Sequence, residues 1–179
     1  LGEASNSLVA NANLITKVYF PRLIVPTAAV ITAFVDFLIS LAILFLVMLW
    51  YRYLPGWQIL TLPVFVLMAF LASLGPGLWI TALNVKYRDF RYVIPFIVTL
   101  GLYVSPVGFS STVIPEQWRL LYAINPMVGV IDGFRWAILG GEVRLFWPGF
   151  LLSWGLIPGF LWLGIRQFRR MEKNFADLI

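Results

Sequence analysis

The stretch Leu14–Pro26, L-I-T-K-V-Y-F-P-R-L-I-V-P, sets a short basic and aromatic segment directly against the long apolar run Leu23–Leu49. Leu14, Ile15, Val18 and Tyr19 recur at helical spacing and share one face, while Lys17 and Arg22 add positive charge beside them. Pro21 has no N–H and steers Phe20 away from the α region, so the short helix is expected to stop there. Such a segment reads as a lever on the membrane surface, placed where a partner docked on that side would move the first span.

Composition outside this stretch agrees with a chain built for lipid. Apolar residues make up 61% and charged residues only 12%, where a soluble domain carries about a quarter charged. Mean hydropathy is +0.89. The chain has no Cys and no His. That removes thiolate and imidazole metal sites, cysteine nucleophiles and Ser-His relays. The net charge of +5 is read as topogenic in such a chain, not as a nucleic-acid footprint. The sequence opens on Leu1 without a visible signal peptide, and an N-terminal truncation is expected.

Four stretches are apolar and long enough to be read as spans of roughly 30 Å of hydrocarbon: 23–49, 59–83, 92–107 and 147–165, the third being the shortest. If they alternate, nine of the 13 basic residues fall on one side: Lys17, Arg22, Lys86, Arg88, Arg91, Arg166, Arg169, Arg170 and Lys173. The other side holds Arg52, Arg119, Arg135 and Arg144, offset by Glu116, Asp132 and Glu142. The positive-inside rule then puts both ends of the chain in the cytoplasm, with 166–179 as a basic tail. Trp50, Tyr51, Tyr53 and Trp57 fall at the outer interface as an aromatic belt, and Pro55-Gly56 makes the turn.

Region 108–146 differs. Its two apolar pieces, Trp118–Ile124 and Met127–Leu139, are split by Asn125-Pro126. A 13-residue helix rises only about 20 Å, so the longer piece is expected to be re-entrant or interfacial. Asp132 and Arg135, at i and i+3, can pair on its polar side. The reading is a helical hairpin dipping into the outer leaflet, the alternative being an external loop with surface helices.

Asp36 lies near the middle of the first span, where a carboxylate costs about 2.5–3.5 kcal/mol. It must face protein or water, either as a pathway or coupling residue or as a helix–helix hydrogen bond. Tyr92, Phe96, Thr99 and Tyr103 fall on one stripe of the third span. Aromatic rings stack on sugar faces, so the stripe suits a channel for a sugar polymer; packing is its ordinary alternative. Lys86-Tyr87-Arg88-Asp89-Phe90-Arg91 closes one span and opens the next, and its interleaved aromatics and acid suggest docking beyond topology. Ala69, Ser73 and Gly77 form a small-residue ladder, and Gly155 and Gly159 a GxxxG, both pointing to close helix contacts or dimerisation. No glycine-rich nucleotide loop and no catalytic constellation is present.

The run N-A-N-L-I-T-K-V-Y-F-P-R-L-I-V-P from Asn11, K-Y-R-D-F-R at Lys86–Arg91, S-P-V-G-F at Ser105–Phe109 and I-N-P-M at Ile124–Met127 resemble the permease subunit of ABC type-2 exporters. The nearest branch moves polysaccharide or polyol-phosphate chains: O-antigen, capsule or teichoic acid. The resemblance covers the whole chain. It implies an all-α integral membrane fold with six spans per subunit, of which four would be present here. Residues 1–13 would be the end of a truncated span, and without the missing part the chain alone is not expected to be a working exporter. It implies that 14–22 is the coupling helix seated in an ABC ATPase, with Lys17, Tyr19, Phe20, Pro21 and Arg22 in contact. Lys86, Arg88, Asp89 and Arg91 would face the same subunit. Asp36, Tyr92, Phe96, Thr99 and Tyr103 would line the channel, and Asn125, Pro126, Asp132 and Arg135 would belong to external gate helices.

Two permeases and two ATPases would assemble in the cytoplasmic membrane. ATP and Mg would bind in the ATPase, leaving this chain without cofactor, metal or catalytic residue. Membrane lipids and a lipid-linked glycan complete the expected partners, with no nucleic acid. An ABC type-2 exporter of drugs or lipids, or a membrane enzyme acting on lipid-linked sugars, are the alternatives.

Overall fold

A computed structural model describes residues 2–10, 21–87, 89–140 and 145–172. Every regular element among them is helical: α1 (Gly2–Ala10), α2 (Ile24–Trp50), α3 (Leu62–Lys86), α4 (Phe90–Val104), α5 (Glu116–Tyr122), α6 (Pro126–Ile138) and α7 (Trp147–Glu172). Short 3₁₀ turns at Trp57–Thr61 and Ser111–Val113 lead into α3 and α5. Three helices are long and apolar enough to cross a membrane: α2, α3 with its leading turn, and α7. The expected third span meets α4, an apolar helix of 15 residues. At 1.5 Å per residue it rises about 22 Å. It ends because Ser105, held extended at ψ 148°, precedes Pro106, which disfavours the α region for it.

The end of α2 is a Schellman turn. Tyr53 N–H donates to Met48 O at 2.9 Å and Arg52 N–H to Leu49 O at 3.0 Å. Arg52 takes the left-handed conformation that this motif demands, φ 54°. Trp50, Tyr51 and Trp57 are exposed around that turn.

α3 is the hub. One core cluster joins Leu8 of α1, Leu78, Ala82 and Val85 of α3 and Phe168 of α7. A second joins Phe65, Met68 and Ala72 of α3, Val130 and Ala137 of α6 and Ile157 of α7. Between them α3 and α7 cross backbone to backbone. A Cβ on Gly75 would lie 2.8 Å from Leu161 N and Cα, and one on Gly164 would collide with Gly75 O. The glycines at this crossing are not those of the GxxxG motif. Gly155 and Gly159, the GxxxG, have open space where a Cβ would go, because α7 turns that face away from α3. Gly75 and Gly164 make the close contact instead.

The polar face of α1 is satisfied within the fold. Ser5 and Ser7 are buried, and their hydroxyls return to Gly2 O and Ala4 O at 2.6 and 2.7 Å. α3 supplies the rest. Thr81 Oγ1 donates to Ala4 O at 2.8 Å, and Asn84 Nδ2 donates to Ser5 O at 2.9 Å and Asn6 Oδ1 at 3.1 Å. Asn84→Leu should cost about 1 kcal/mol, the scale of an interhelical hydrogen bond in a membrane protein. A calorimetric scan of the solubilised protein reads this as a lower Tm; an unchanged Tm would mean that Leu8 packing and the Thr81 bond hold α1 without Asn84.

Candidate functional site

Three groups of sequence-selected residues take separate places in this bundle. The first gathers at one end. Leu23 and Val25 at the start of α2, Val85 at the end of α3 and Phe168 and Met171 at the end of α7 pack together. This brings Arg22, Lys86, Arg166, Arg169 and Arg170 to the same end of the bundle. Arg22 Nη1 donates to Glu172 O at 2.7 Å, closing the C-terminus of α7, while Pro21 O accepts from Ile24 N at 3.0 Å. Lys86 Nζ sits 4.9 Å from the centre of the Tyr87 ring, and Arg91 Cζ 5.4 Å from that of Tyr92. Tyr87 and Phe90 rings lie 6.1 Å apart, and Asp89 precedes α4 without capping it. Arg91 also borders a cavity of about 320 Å³ with Asn6, Val9, Ala10 and Asn84. Lys17, Tyr19, Phe20, Arg88 and Lys173 lie outside the described residues.

The second group lies on α4. Tyr92, Phe96 and Tyr103 are 73%, 68% and 74% exposed, so the stripe points away from the bundle. Ile94 is the one buried residue of α4. Thr99 is exposed as well, its hydroxyl returned to Pro95 O at 2.8 Å. Asp36 stands on α2, which packs on α1 and α3 and, through Phe37, on Phe134 of α6, and it is exposed there. On an apolar helix an exposed carboxylate needs a polar neighbour. A groove of about 520 Å³ opens between α3, α4 and α6, lined by Ser73, Pro76, Thr99, Leu102, Asn125 and Ile131 among others. Thr99 thus joins the aromatic stripe to the third group.

That group is the α5–α6 hairpin. Asn125 caps α6 by accepting from Met127 N at 3.0 Å, and its Nδ2 donates to Ser105 Oγ at 3.0 Å, tying the end of α4 to the start of α6. Pro126 takes the first helical position, where no N–H is needed. Arg135 donates from Nη1 to Phe109 O at 2.6 Å and from Nη2 to Val107 O at 3.0 Å. Its ion pair with Asp132 is long, 4.0 Å. Arg119 similarly holds Ile114 O and Thr112 O at 3.0 and 3.2 Å. The segment after α4 is therefore laced to the hairpin by Asn125, Arg119 and Arg135. Ser153 on α7 donates to Ala123 O at 3.0 Å from a fully buried position. Phe134 of α6 packs its ring against Phe37 and Phe65.

Sequence reasoning did not select Ser105, Arg119 or Ser153 as site residues. The Asn-Pro cap was a signal for where α6 starts; the partners of these three side chains lie across the fold or in irregular backbone.

Behind the hairpin, Tyr122 OH and Asp132 Oδ1 are buried with no hydrogen-bond partner, beside a cavity of about 40 Å³ that Arg119 also lines. Asp132 lies outside the three long helices. Burial pushes its carboxyl above the usual aspartate range, and the Ser111 hydroxyl and Arg135 guanidinium offset only part of this. The folded hairpin thus binds the proton more tightly than the unfolded chain. Stability is full below the ordinary aspartate pKa and falls as pH rises through the raised one. Asp132→Asn should flatten this dependence in thermal melts run from acid to neutral pH. A variant whose Tm still drops over that window would assign the effect elsewhere. Among the described residues no cluster of three metal-binding side chains occurs.

A family model described as ABC-2 type transporter matches residues 2–139. An O-antigen export system permease protein RfbA of Myxococcus xanthus is 30% identical over 181 residues, covering 100% of this chain and 69% of that protein. A protein of the same name from Klebsiella pneumoniae is 25% identical over 99% of this chain and 69% of its own length. An inner membrane transport permease YadH of Escherichia coli is 34% identical over 103 residues, 51% of this chain and 40% of that protein.

Proposed function

Since this chain belongs to the ABC-2 type transporter family, we propose that it is the permease subunit of an ATP-driven exporter of lipid-linked polysaccharide. The observation that carries the reading is the likeness over the whole chain to permeases of O-antigen export. The exposed stripe Tyr92, Phe96 and Tyr103 supports it: rings left free by the bundle can stack against a sugar polymer in a channel formed with a second copy. Thr99 and Asp36 line the same path, where a polar channel would give Asp36 the neighbour that lipid cannot.

In this proposal the basic end of the bundle faces the cytoplasm, as the positive-inside rule requires. Lys17, Tyr19, Phe20, Pro21 and Arg22 form the lever seated in an ABC ATPase, with Lys86, Arg88, Asp89 and Arg91 beside it. ATP and Mg bind in that partner. Closure of the ATPase dimer favours one conformation of the lever, and the channel population shifts with it. Asn125, Pro126, Asp132 and Arg135 hold the external gate.

The test is deletion of the gene. Lipid-linked glycan should accumulate on the cytoplasmic side and return to the surface on complementation. Normal surface glycan in the deletion strain would refute the substrate. An exporter of drugs or lipids is the second reading, favoured by the likeness of half the chain to a transport permease whose name specifies no glycan. It predicts unchanged surface glycan and altered drug tolerance or lipid composition instead.

A further inference from the structure

The C-terminal part of α7 carries an arginine cluster to which the proposed function gives no role beyond topology. Arg166, Arg169 and Arg170, at i, i+3 and i+4, share one exposed face. With Trp162 and Ile165 they line an open cavity of about 610 Å³. The opposite face of the helix, Gly164 and Phe168, is buried in the bundle, so the three guanidiniums point outward. Arg166 Cζ stacks 4.7 Å from the centre of the Trp162 ring. Stacking leaves the guanidinium fork rigid and its N–H edges free. The ion pairs found among the described residues, Arg119–Glu116 and Arg135–Asp132, both lie in the hairpin region, so the three arginines are not ion-paired with any described acid, Glu172 of the same helix included. Complementing the helix dipole accounts for Arg169 and Arg170 in the last turn. It does not account for Arg166, which lies further in.

From these positions we infer that the end of α7 is a docking site for the phosphodiester headgroup of an anionic membrane phospholipid. The charge is complementary and the fork geometry of arginine matches phosphate oxygens. Trp162 belongs at headgroup level. Trp154 and Leu151, exposed higher on α7, offer an apolar track along which acyl chains can lie. A bound lipid would brace α7 where Arg22 ties it to the start of α2. The inference needs only that α7 ends at a membrane surface, whatever the transporter carries.

The test uses the full-length permease purified with its ATPase. Native mass spectrometry would count retained phosphatidylglycerol against phosphatidylcholine, and titration of the complex in nanodiscs would give relative affinity. Each interfacial arginine contributes about a fivefold factor, so R166Q/R169Q/R170Q should bind phosphatidylglycerol on the order of a hundredfold more weakly. Arg166→Lys keeps the charge but loses the stacked fork. It should give an intermediate loss and serves if the triple variant does not fold. R52Q, which removes an exposed arginine elsewhere, should leave retention unchanged.

Equal retention by wild type and the arginine variants would overturn the proposal. So would an equal drop in R52Q, which would indicate net charge alone. Loss of the ATPase with lipid retention intact would assign the arginines to that partner. Loss of polyprenyl diphosphate binding alone would assign them to substrate.

Discussion

Gly164→Leu should prevent the bundle from forming. The added Cβ would collide with Gly75 O, and the rest of the side chain has backbone in front of it. Overpacking a core costs about 1–3 kcal/mol when side chains can yield. Here the obstacle is the backbone of α3, so relief requires α3 and α7 to separate. That separation would open both core clusters at once, because each contains residues of the two helices. A loss of more than about 3 kcal/mol from a total stability of about 5–15 kcal/mol should show as aggregated protein on size-exclusion chromatography. Gly155→Leu and Gly159→Leu supply the contrast. Their Cβ atoms meet open space, and each variant should stay within about 0.5 kcal/mol of the parent. Should Gly155→Leu aggregate while Gly164→Leu remains monodisperse, the crossing described here is wrong.

Arg135→Ala should free the segment between α4 and α5. The guanidinium holds two carbonyls in that segment, Val107 O and Phe109 O, and each hydrogen bond to a charged group is worth about 1.5–3 kcal/mol. The sequence has no cysteine, so Ser105→Cys gives a single reporter thiol at a buried position, compared across backgrounds that all carry it. Maleimide labelling of that thiol should accelerate strongly in Arg135→Ala. Arg135→Lys should fall between, because an ammonium is a point charge without the planar fork that spans two acceptors. Because Ser105→Cys itself removes the hydroxyl bonded to Asn125, equal labelling rates in all three backgrounds would show that Arg119 retains the segment without Arg135. In transport, the proposed gate role predicts that Arg135→Ala weakens closure while the ATPase still binds.

Much of the architecture follows from local chemistry. The apolar runs around α2, α3 and α7 are long enough that hydrocarbon thickness alone selects them as candidate spans. Asn125-Pro126 announces the start of α6 because the cap needs a side-chain acceptor and the next position needs no N–H. Pro106 ends α4 through its effect on Ser105. Charge counting placed Arg22, Lys86 and Arg166–Arg170 together, and the packing of Leu23, Val85 and Phe168 brings the same segments to one end. The roles of Lys17, Tyr19, Phe20 and Arg88 rest on resemblance, since those residues lie outside the described structure.

What local patterns could not give is the pairing between helices. Small-residue ladders say that a face can approach another closely, and Gly155 and Gly159 fit that pattern yet take no part in the α3–α7 crossing. Gly75 and Gly164 meet because α3 and α7 cross at that point, a property of two helices separated by most of the chain. The same holds for Asn84 against α1, for Arg135 reaching back to Phe109, and for the outward turn of Tyr92, Phe96 and Tyr103. Sequence by itself determined that this chain is helical, membrane-embedded and asymmetric in charge, since those follow from residue type and spacing along one axis. Only the tertiary structure decided which faces are spent on packing and which remain for a partner, a polymer or a lipid, because a helix face acquires its role from what stands opposite it.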